Sequence, residues 1–432
     1  MTEPVTEPLK TIDIVERSLA RRYAKERRFR AYGFSAVALA LLSLIFLFAD
    51  IGIKGYSAFF QTNIRLDVSF DTDELDIGPK TDRSALMSAD WDRIVRNAIQ
   101  QRFPDVKKRS DKRKLGKLVG VAAGYQLRDM VLDDPSLLGQ QRTVWVLAQS
   151  KVDAFMKETE NPAVATESPL LGEKEIGWVQ TLIADSDIEF RFNTLFFTRG
   201  DSRDPETAGI LSAMVGSLLM LAVTLLLSFP IGAAAAVYLE EFAPKTRLTD
   251  LIEVNINNLA AVPSITFGLL GLAIFIQFFG LPRSAPLVGG IVLTLLTLPT
   301  IIIASRASIK AVPPSIRDAA LGIGASHMQA VMHHVLPNAM PGMLTGAIIG
   351  MARALGETAP LIMIGMVAFI VEVPEGFLDP ASALPVQIYL WSDSPERGFV
   401  ALTSAAILIL MVFLITMNGL AVYLRKRLER RW

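Results

Sequence analysis

The 432-residue chain contains no cysteine, so neither a disulfide nor a thiolate metal site contributes to it. Histidine is scarce as well. The three present, His327, His333 and His334, have no carboxylate spaced with them as a ligand set, so they read as surface side chains and no metal is expected. No Gly-x-x-x-x-Gly-Lys-Ser/Thr run occurs, which leaves the chain without a phosphate-cradling loop for ATP. Chemical energy, if used, has to arrive from another polypeptide, and no cofactor is expected here. Net charge is also lacking, with 43 basic against 43 acidic residues, so the average says nothing of a nucleic-acid partner and none is expected. There is no short solenoid repeat and no long low-complexity tract.

What is present is segregation. Half the residues are apolar and a fifth are charged, and the two sets occupy different stretches. Ala31–Ile53 is an apolar run long enough to span a bilayer, preceded by Arg21, Arg22, Lys25, Arg27, Arg28 and Arg30. A long basic region without a small-residue cleavage site after the run marks an uncleaved anchor rather than a signal peptide. Further runs at Ile210–Leu239, Ile256–Phe279, Leu287–Ala304, Met343–Ile370 and Phe399–Leu424 bring the total to about six spans. Most of the charge lies at 54–206.

Orientation follows from Lys and Arg in the short flanking segments. The amino-terminal tail, Lys245 and Arg247, then Arg306, Lys310 and Arg317, and finally Arg425, Lys426, Arg427, Arg430 and Arg431 fall on one side of a six-span chain. Only Arg283 and Arg397 fall in the opposite short loops. The expected plan is a cytoplasmic basic tail at 1–30, a first span at 31–53, a periplasmic domain at 54–206, a membrane domain at 207–424 and a second cytoplasmic tail at 425–432. Within the domain at 54–206, Ile64, Leu66, Val68 and Phe70 alternate with Arg65 and Asp67, and Ile188, Phe190 and Phe192 alternate with Glu189 and Arg191, which predicts two strands. Helical spacing predicts helices over Ala85–Phe103 and Arg142–Lys157, making a small α+β domain. The basic run Lys107-Lys108-Arg109 with Lys112-Arg113-Lys114 reads as a solvated face rather than an anion site.

The stretch from Ala311 to Pro337 carries the most information. Pro313 and Pro314 set the start of a short helix, Ala319 and Ala320 present a small flat face, and Gly324 permits a turn. A second short helix, Met328 to Leu336, is expected to end at Pro337. A small-faced helix held at the membrane surface suits a groove in a partner better than it suits a plain connector, which rarely needs so punctuated a segment. Asp318-Ala319-Ala320, Gly324 and Val335-Leu336-Pro337 resemble the coupling loop of ABC importer permeases, with Asp318 where that family usually has Glu and Val335 near its usual Ile position.

A branch of that family is suggested by Arg353-Ala354-Leu355-Gly356-Glu357-Thr358-Ala359-Pro360, which resembles the signature of PstA-type phosphate permeases. Sulfate and molybdate permeases look similar up to the Gly-Glu pair and then diverge. Phe229-Pro230-Ile231-Gly232 leading to Tyr238–Pro244, and Ala261–Leu269, support the same resemblance, which covers about 207–424. The domain at 54–206 makes the chain similar to an extended variant of that plan.

Arg353 and Glu357 are unusual on physical grounds alone. A charge deep in the membrane costs about 2.5–3.5 kcal/mol on insertion scales, so it faces protein or water. One helical turn apart, the two can pair. Either Arg353 serves the pathway, since a guanidinium matches phosphate oxygens, with Glu357 orienting it, or the two form a structural ion pair. Gly350 and Gly356 flank them and would allow close helix approach.

The resemblance implies an all-α polytopic permease of about six spans with an external α+β domain, lodged in the bacterial inner membrane and not itself an enzyme. It implies substrate-pathway roles for Arg353, Glu357 and Thr358, and ATPase-coupling roles for Asp318, Ala319, Ala320, Gly324 and Pro337. Implied partners are a PstC-type second permease, two copies of an ATPase subunit that binds the ATP, and a periplasmic phosphate-binding protein. A permease for another oxyanion, an ion-coupled secondary transporter, and a membrane-anchored sensor are the competing readings. The second would call for inverted repeats and has no use for a coupling loop.

Overall fold

The computed structural model describes residues 11–75, 83–160, 171–367 and 369–428. The two ends of the basic tails, including Arg430 and Arg431, lie outside the described residues, as do 76–82 and 161–170 of the domain between the first two spans. The chain divides after Ile53 into two units. Helix α1 (Thr11–Ala58) carries the basic tail and the first apolar run on one rod. At about 1.5 Å per residue the run alone reaches roughly 34 Å, enough for a hydrocarbon core of about 30 Å. Its length and apolar composition fit a membrane-crossing helix.

The inserted domain begins with β1 (Phe60–Ser69). There follow α2 (Arg83–Ser88), α3 (Trp91–Arg102), α4 (Arg109–Leu115), α5 (Ala122–Asp133), β2 (Gln141–Leu147), α6 (Ser150–Glu160), α7 (Glu173–Ala184) and β3 (Ile188–Phe192). Strand β1 is central and antiparallel to both neighbours, in the order β2-β1-β3. Ile64 faces Val146 on one side and Ile188 on the other, while Leu66 faces Val144. The period-two alternation therefore puts Ile64, Leu66 and Val68 into the core with Ile94, Ile99 and Leu127 from the helices.

Two local expectations change. The stretch Arg142–Lys157 is not one helix: its first part is β2, with Val144 and Val146 buried, and α6 starts only at Ser150. A short apolar run satisfies both periods, and here the β-branched and aromatic content of Thr143-Val144-Trp145-Val146, paired along β1, decides for the strand. The stretch Ala85–Phe103 is two helices, because Asp90 caps α3 by accepting the Arg93 N–H at 3.0 Å.

A short helix α8 (Thr194–Thr198) leads into the membrane bundle. It comprises α9 (Leu211–Val237, prolonged by a π-helical turn to Phe242), α10 (Arg247–Ala260), α11 (Ser264–Gly271, continuing as π-helix to Phe278) and α12 (Pro286–Lys310). After these come α13 (Pro314–Gly322), α14 (His327–Ala330), α15 (Leu336–Gly356), α16 (Ala359–Met363), α17 (Leu384–Ser392) and α18 (Gly398–Leu428). Among the described residues five helices are long and apolar enough to cross a membrane, or six if the bent pair α10 and α11 counts as one.

That pair corrects the expected straight span Ile256–Phe279. The axes of α10 and α11 differ by 100° across Ala261-Val262-Pro263. Pro263 supplies no backbone donor and pushes Val262 out of helical geometry, while Glu253, Asn255, Asn257 and Asn258 make α10 too polar on one face to sit in lipid. The expected span Met343–Ile370 likewise stops at Gly356, where Glu357 turns extended ahead of Pro360 in α16.

Helix α12 sits at the centre, with Val288, Val292, Leu293 and Ile301 fully buried. Helix α15 packs on it closely at Gly342 and Gly346, where an added Cβ would overlap Ser308 and Ala304. The expected contacts at Gly350 and Gly356 are not the tight ones. At Gly350 the nearest Ile301 carbon is an ordinary 3.5 Å away, and Gly356 has open space, so the two helices diverge toward that end.

Candidate functional site

Two groups of sequence-predicted residues sit at opposite ends of α15. At its start, Pro313 caps α13 with Pro314 in the first turn, and α13 ends with Gly324 at φ +91°. Only a residue without Cβ takes that left-handed geometry at little cost. Ser326 then caps α14 in a capping box with Gln329. The helix does not end at Pro337 as expected. It runs on into α15, because the π-helical turn Val331–Val335 widens the backbone just where the proline ring and its missing N–H would break a tight ladder.

The expected flat face of Ala319 and Ala320 is split. Ala320 is turned inward at 4% exposure, whereas Asp318, Ala319, Leu321 and Ile323 are exposed. Spacing i, i+1 on a helix cannot place both alanines on one face. The outward surface is thus one carboxylate beside a small and an apolar patch, with Met328 and Met332 exposed on the following turns.

What holds this segment was not read from the sequence. Arg317 reaches Glu241 at the end of the π-helical turn after α9, with Nη2–Oε1 at 2.6 Å and Nε–Oε1 at 3.0 Å. Its Nη1 donates to the Val312 carbonyl at 2.8 Å and its Nη2 to that of Ile309 at 3.0 Å, so the guanidinium ties the end of α12, the start of α13 and α9 together. The Glu241 side chain is only 5% exposed. Arg306 bridges Glu253 of α10 at 2.9 Å and Glu240 at 3.4 Å, with Lys310 3.6 Å from Glu240. His327 hydrogen-bonds the Glu241 carbonyl at 2.9 Å and meets the Phe242 ring edge-on, while His333 and His334 are exposed. The signal was available: an acidic pair closing one apolar run and arginines closing another, on the same side by span parity.

At the far end of α15, Arg353 lies in the last turn and Glu357 just beyond it. Their Nε and Oε1 atoms are 3.5 Å apart, a loose contact, with the side chains 44% and 18% exposed. Thr358 is the cap residue of α16, and its carbonyl accepts the Ile362 N–H at 3.0 Å. The guanidinium is thus neither buried among helices nor firmly bonded, and it has donors to offer outward.

A profile of the family described as "Binding-protein-dependent transport system inner membrane component" matches residues 228–430. Residues 16–166 match a family described as a domain of unknown function, DUF3333. Phosphate transport system permease protein PstA 1 of Mycobacterium tuberculosis is 31% identical over 234 residues, covering 54% of this chain and 76% of that protein. PstA of Mycobacterium leprae is 32% identical over 229 residues, covering 52% and 73%. A solved inward-facing MetNI methionine ABC transporter chain aligns over 51% of this chain and 97% of its own, at 18% identity and a TM-score of 0.42. The chain belongs to the binding-protein-dependent transport family and is a membrane permease of an ABC importer. Within that family it is of the PstA type, with an additional domain ahead of the shared membrane region.

Proposed function

We propose that this chain is one half of a pathway that carries inorganic phosphate across the bacterial inner membrane. A PstC-type permease forms the other half, two ATPase subunits bind and hydrolyse the ATP, and a periplasmic phosphate-binding protein delivers the anion. This chain itself carries no cofactor and leaves phosphate chemically unchanged. The observation that carries the reading is Arg353. On a PstA-type bundle a half-exposed guanidinium with one loose partner is costly against lipid, and a second permease chain with a polar path between the two removes that cost. Arg353 then offers its donors to phosphate, while Glu357 and Thr358 orient it from the adjoining turn.

Coupling is assigned to the other end of α15. The surface of Asp318, Ala319, Leu321 and Ile323 enters a groove of the ATPase, Ala320 fixes α13 from behind, and Gly324 and Pro337 shape the turn and the continuation into α15. Residues 54–206 lie on the periplasmic side with both termini in the cytoplasm, a reading supported by the Lys and Arg bias of the short loops.

The test is uptake of labelled phosphate by the reconstituted importer, with sulfate and molybdate as competitors. Arg353→Lys keeps the charge and loses the fork, so uptake falls strongly while membrane level and assembly stay normal. Normal uptake by Arg353→Lys, or competition by sulfate as effective as by phosphate, overturns the proposal.

A further inference from the structure

We propose that the inserted domain rests on the adjacent lipid leaflet through an aromatic shelf formed by Tyr56, Phe192 and Phe197. This goes beyond the transport reading and does not depend on which solute is carried.

The height of the shelf is set by hydrogen bonds. Asn193 donates its backbone N–H to the Phe59 carbonyl at 2.8 Å and its side-chain amide to the Ala58 carbonyl at 3.1 Å, at the end of α1. Three and six residues on, the Phe196 carbonyl accepts the Ile210 N–H at 2.8 Å and the Arg199 carbonyl accepts the Leu211 N–H at 3.1 Å, at the start of α9. Helix α8 is therefore locked at the level where one apolar run ends and the next begins, which is the boundary between hydrocarbon and headgroups.

At that level the rings form a continuous run. Tyr56 meets Phe60, Phe60 meets Phe192 edge-on, and Phe192, Phe197 and Phe59 stack in sequence with centroids 5.7 and 5.8 Å apart. On its inner side Phe59 and Phe197 pack on Phe196, which contacts Trp391, and Trp391 stacks on Phe399 in the first turn of α18. Phe196, Trp391 and Phe399 are buried, so the run is anchored rigidly. Its outer members are not: Tyr56 is 64%, Phe192 57% and Phe197 36% exposed.

Large rings left open to water beside the ends of membrane helices are costly, whereas rings at headgroup depth are the usual side chains of a membrane interface. Tyr56 lies on α1 itself, three residues past the exposed Ile53 that closes its apolar run, and this continuity along one helix favours lipid over a second protein chain as the cover of the shelf.

The test uses the absence of native cysteine. Single substitutions Phe192→Cys and Thr198→Cys, the latter leaving every ring in place, are labelled with a nitroxide in the full chain in phosphatidylcholine nanodiscs. Collision rates with oxygen, which concentrates in lipid, and with a water-soluble nickel chelate are then compared. Lys112→Cys on exposed α4 and Leu226→Cys on exposed α9 give the aqueous and lipid references. The expected oxygen-to-nickel ratio at both test positions is several-fold above that at Lys112 and below that at Leu226. A ratio equal to that at Lys112 overturns the proposal, since the shelf then stands in water. Immobilised labels shielded from both reagents overturn it too, since protein then covers the shelf.

Discussion

The inserted domain and the membrane bundle contain comparable ion pairs but put them to different uses. In the domain, Arg102 bridges Asp185 and Asp187, Arg65 adds a second contact to Asp187 at 2.6 Å, and Lys174 meets Asp111 at 2.7 Å. Asp187 and Asp111 are covered at 8% and 16% exposure, but the basic partners Arg65, Arg102 and Lys174 all keep a third or more of their side chains in water. Of these, Arg65, Arg102 and Asp187 line a polar cleft of about 480 Å³ and are paired with one another across it. In the bundle the charges withdraw to the end where α9 and α12 finish, and there Arg306, Arg317, Glu240 and Glu241 are all largely covered. Surface pairs contribute about 0–1 kcal/mol, but breaking a covered one strands a charge at about 3–5 kcal/mol. Burial, rather than the number of pairs, decides which of them shape the molecule.

The largest expected effect is at the covered pair. Arg317→Ala should leave Glu241 without its guanidinium and cost about 3–5 kcal/mol, seen as loss of the chain from the membrane fraction or loss of ATPase association. The exchange Arg317→Glu with Glu241→Arg should recover part of that loss. A single variant that accumulates and couples normally would erase the contrast between the two regions.

A second effect lies at their junction. Glu206 is buried beside Gly120 and the carbonyl-linked Gln61, and Asp204, Glu396 and Asp153 nearby add negative potential. Burial first, and those carboxylates second, push its carboxyl up to about 7 from an ordinary value of 4.5. The folded chain therefore holds this proton between those two pH values while the unfolded chain has released it. Stability contributed by the protonated group is fully present below about 4.5 and falls as pH rises to about 7, by on the order of 3 kcal/mol. Glu206→Gln should flatten that slope and raise the unfolding temperature at pH 8, as measured by thermal denaturation in detergent at pH 5.5 and 8. An unchanged pH slope would sink the assignment.

The smallest effect is predicted on the domain surface, where Lys174→Ala should leave stability nearly unchanged despite its short contact to Asp111, because the ammonium stands largely in water. A larger loss by chemical denaturation would mean that this exposed pair behaves like the covered ones.

Much of the molecule was legible in the residues. Apolar runs of about eighteen or more have one stable environment, so α1, α9, α12 and α18 follow from length alone, and the alternation in Ile64–Phe70 and Ile188–Phe192 admits little but strands. The spacing of Arg353 and Glu357 made a contact between them foreseeable. Where two periods fit equally well, as in Arg142–Lys157, pairing with β1 chose between them, and that partner lies about 80 residues away. The bend between α10 and α11 and the passage through Pro337 depended on whether neighbouring turns could absorb a missing donor. The Arg317–Glu241 brace joins residues 76 positions apart. Composition and local spacing determined the elements and their class, because burial of apolar runs and backbone hydrogen bonding are local demands. Which charges are covered, which alanine faces inward and where α15 ends were decided only by tertiary packing, because burial of a side chain is a property of its neighbours in space.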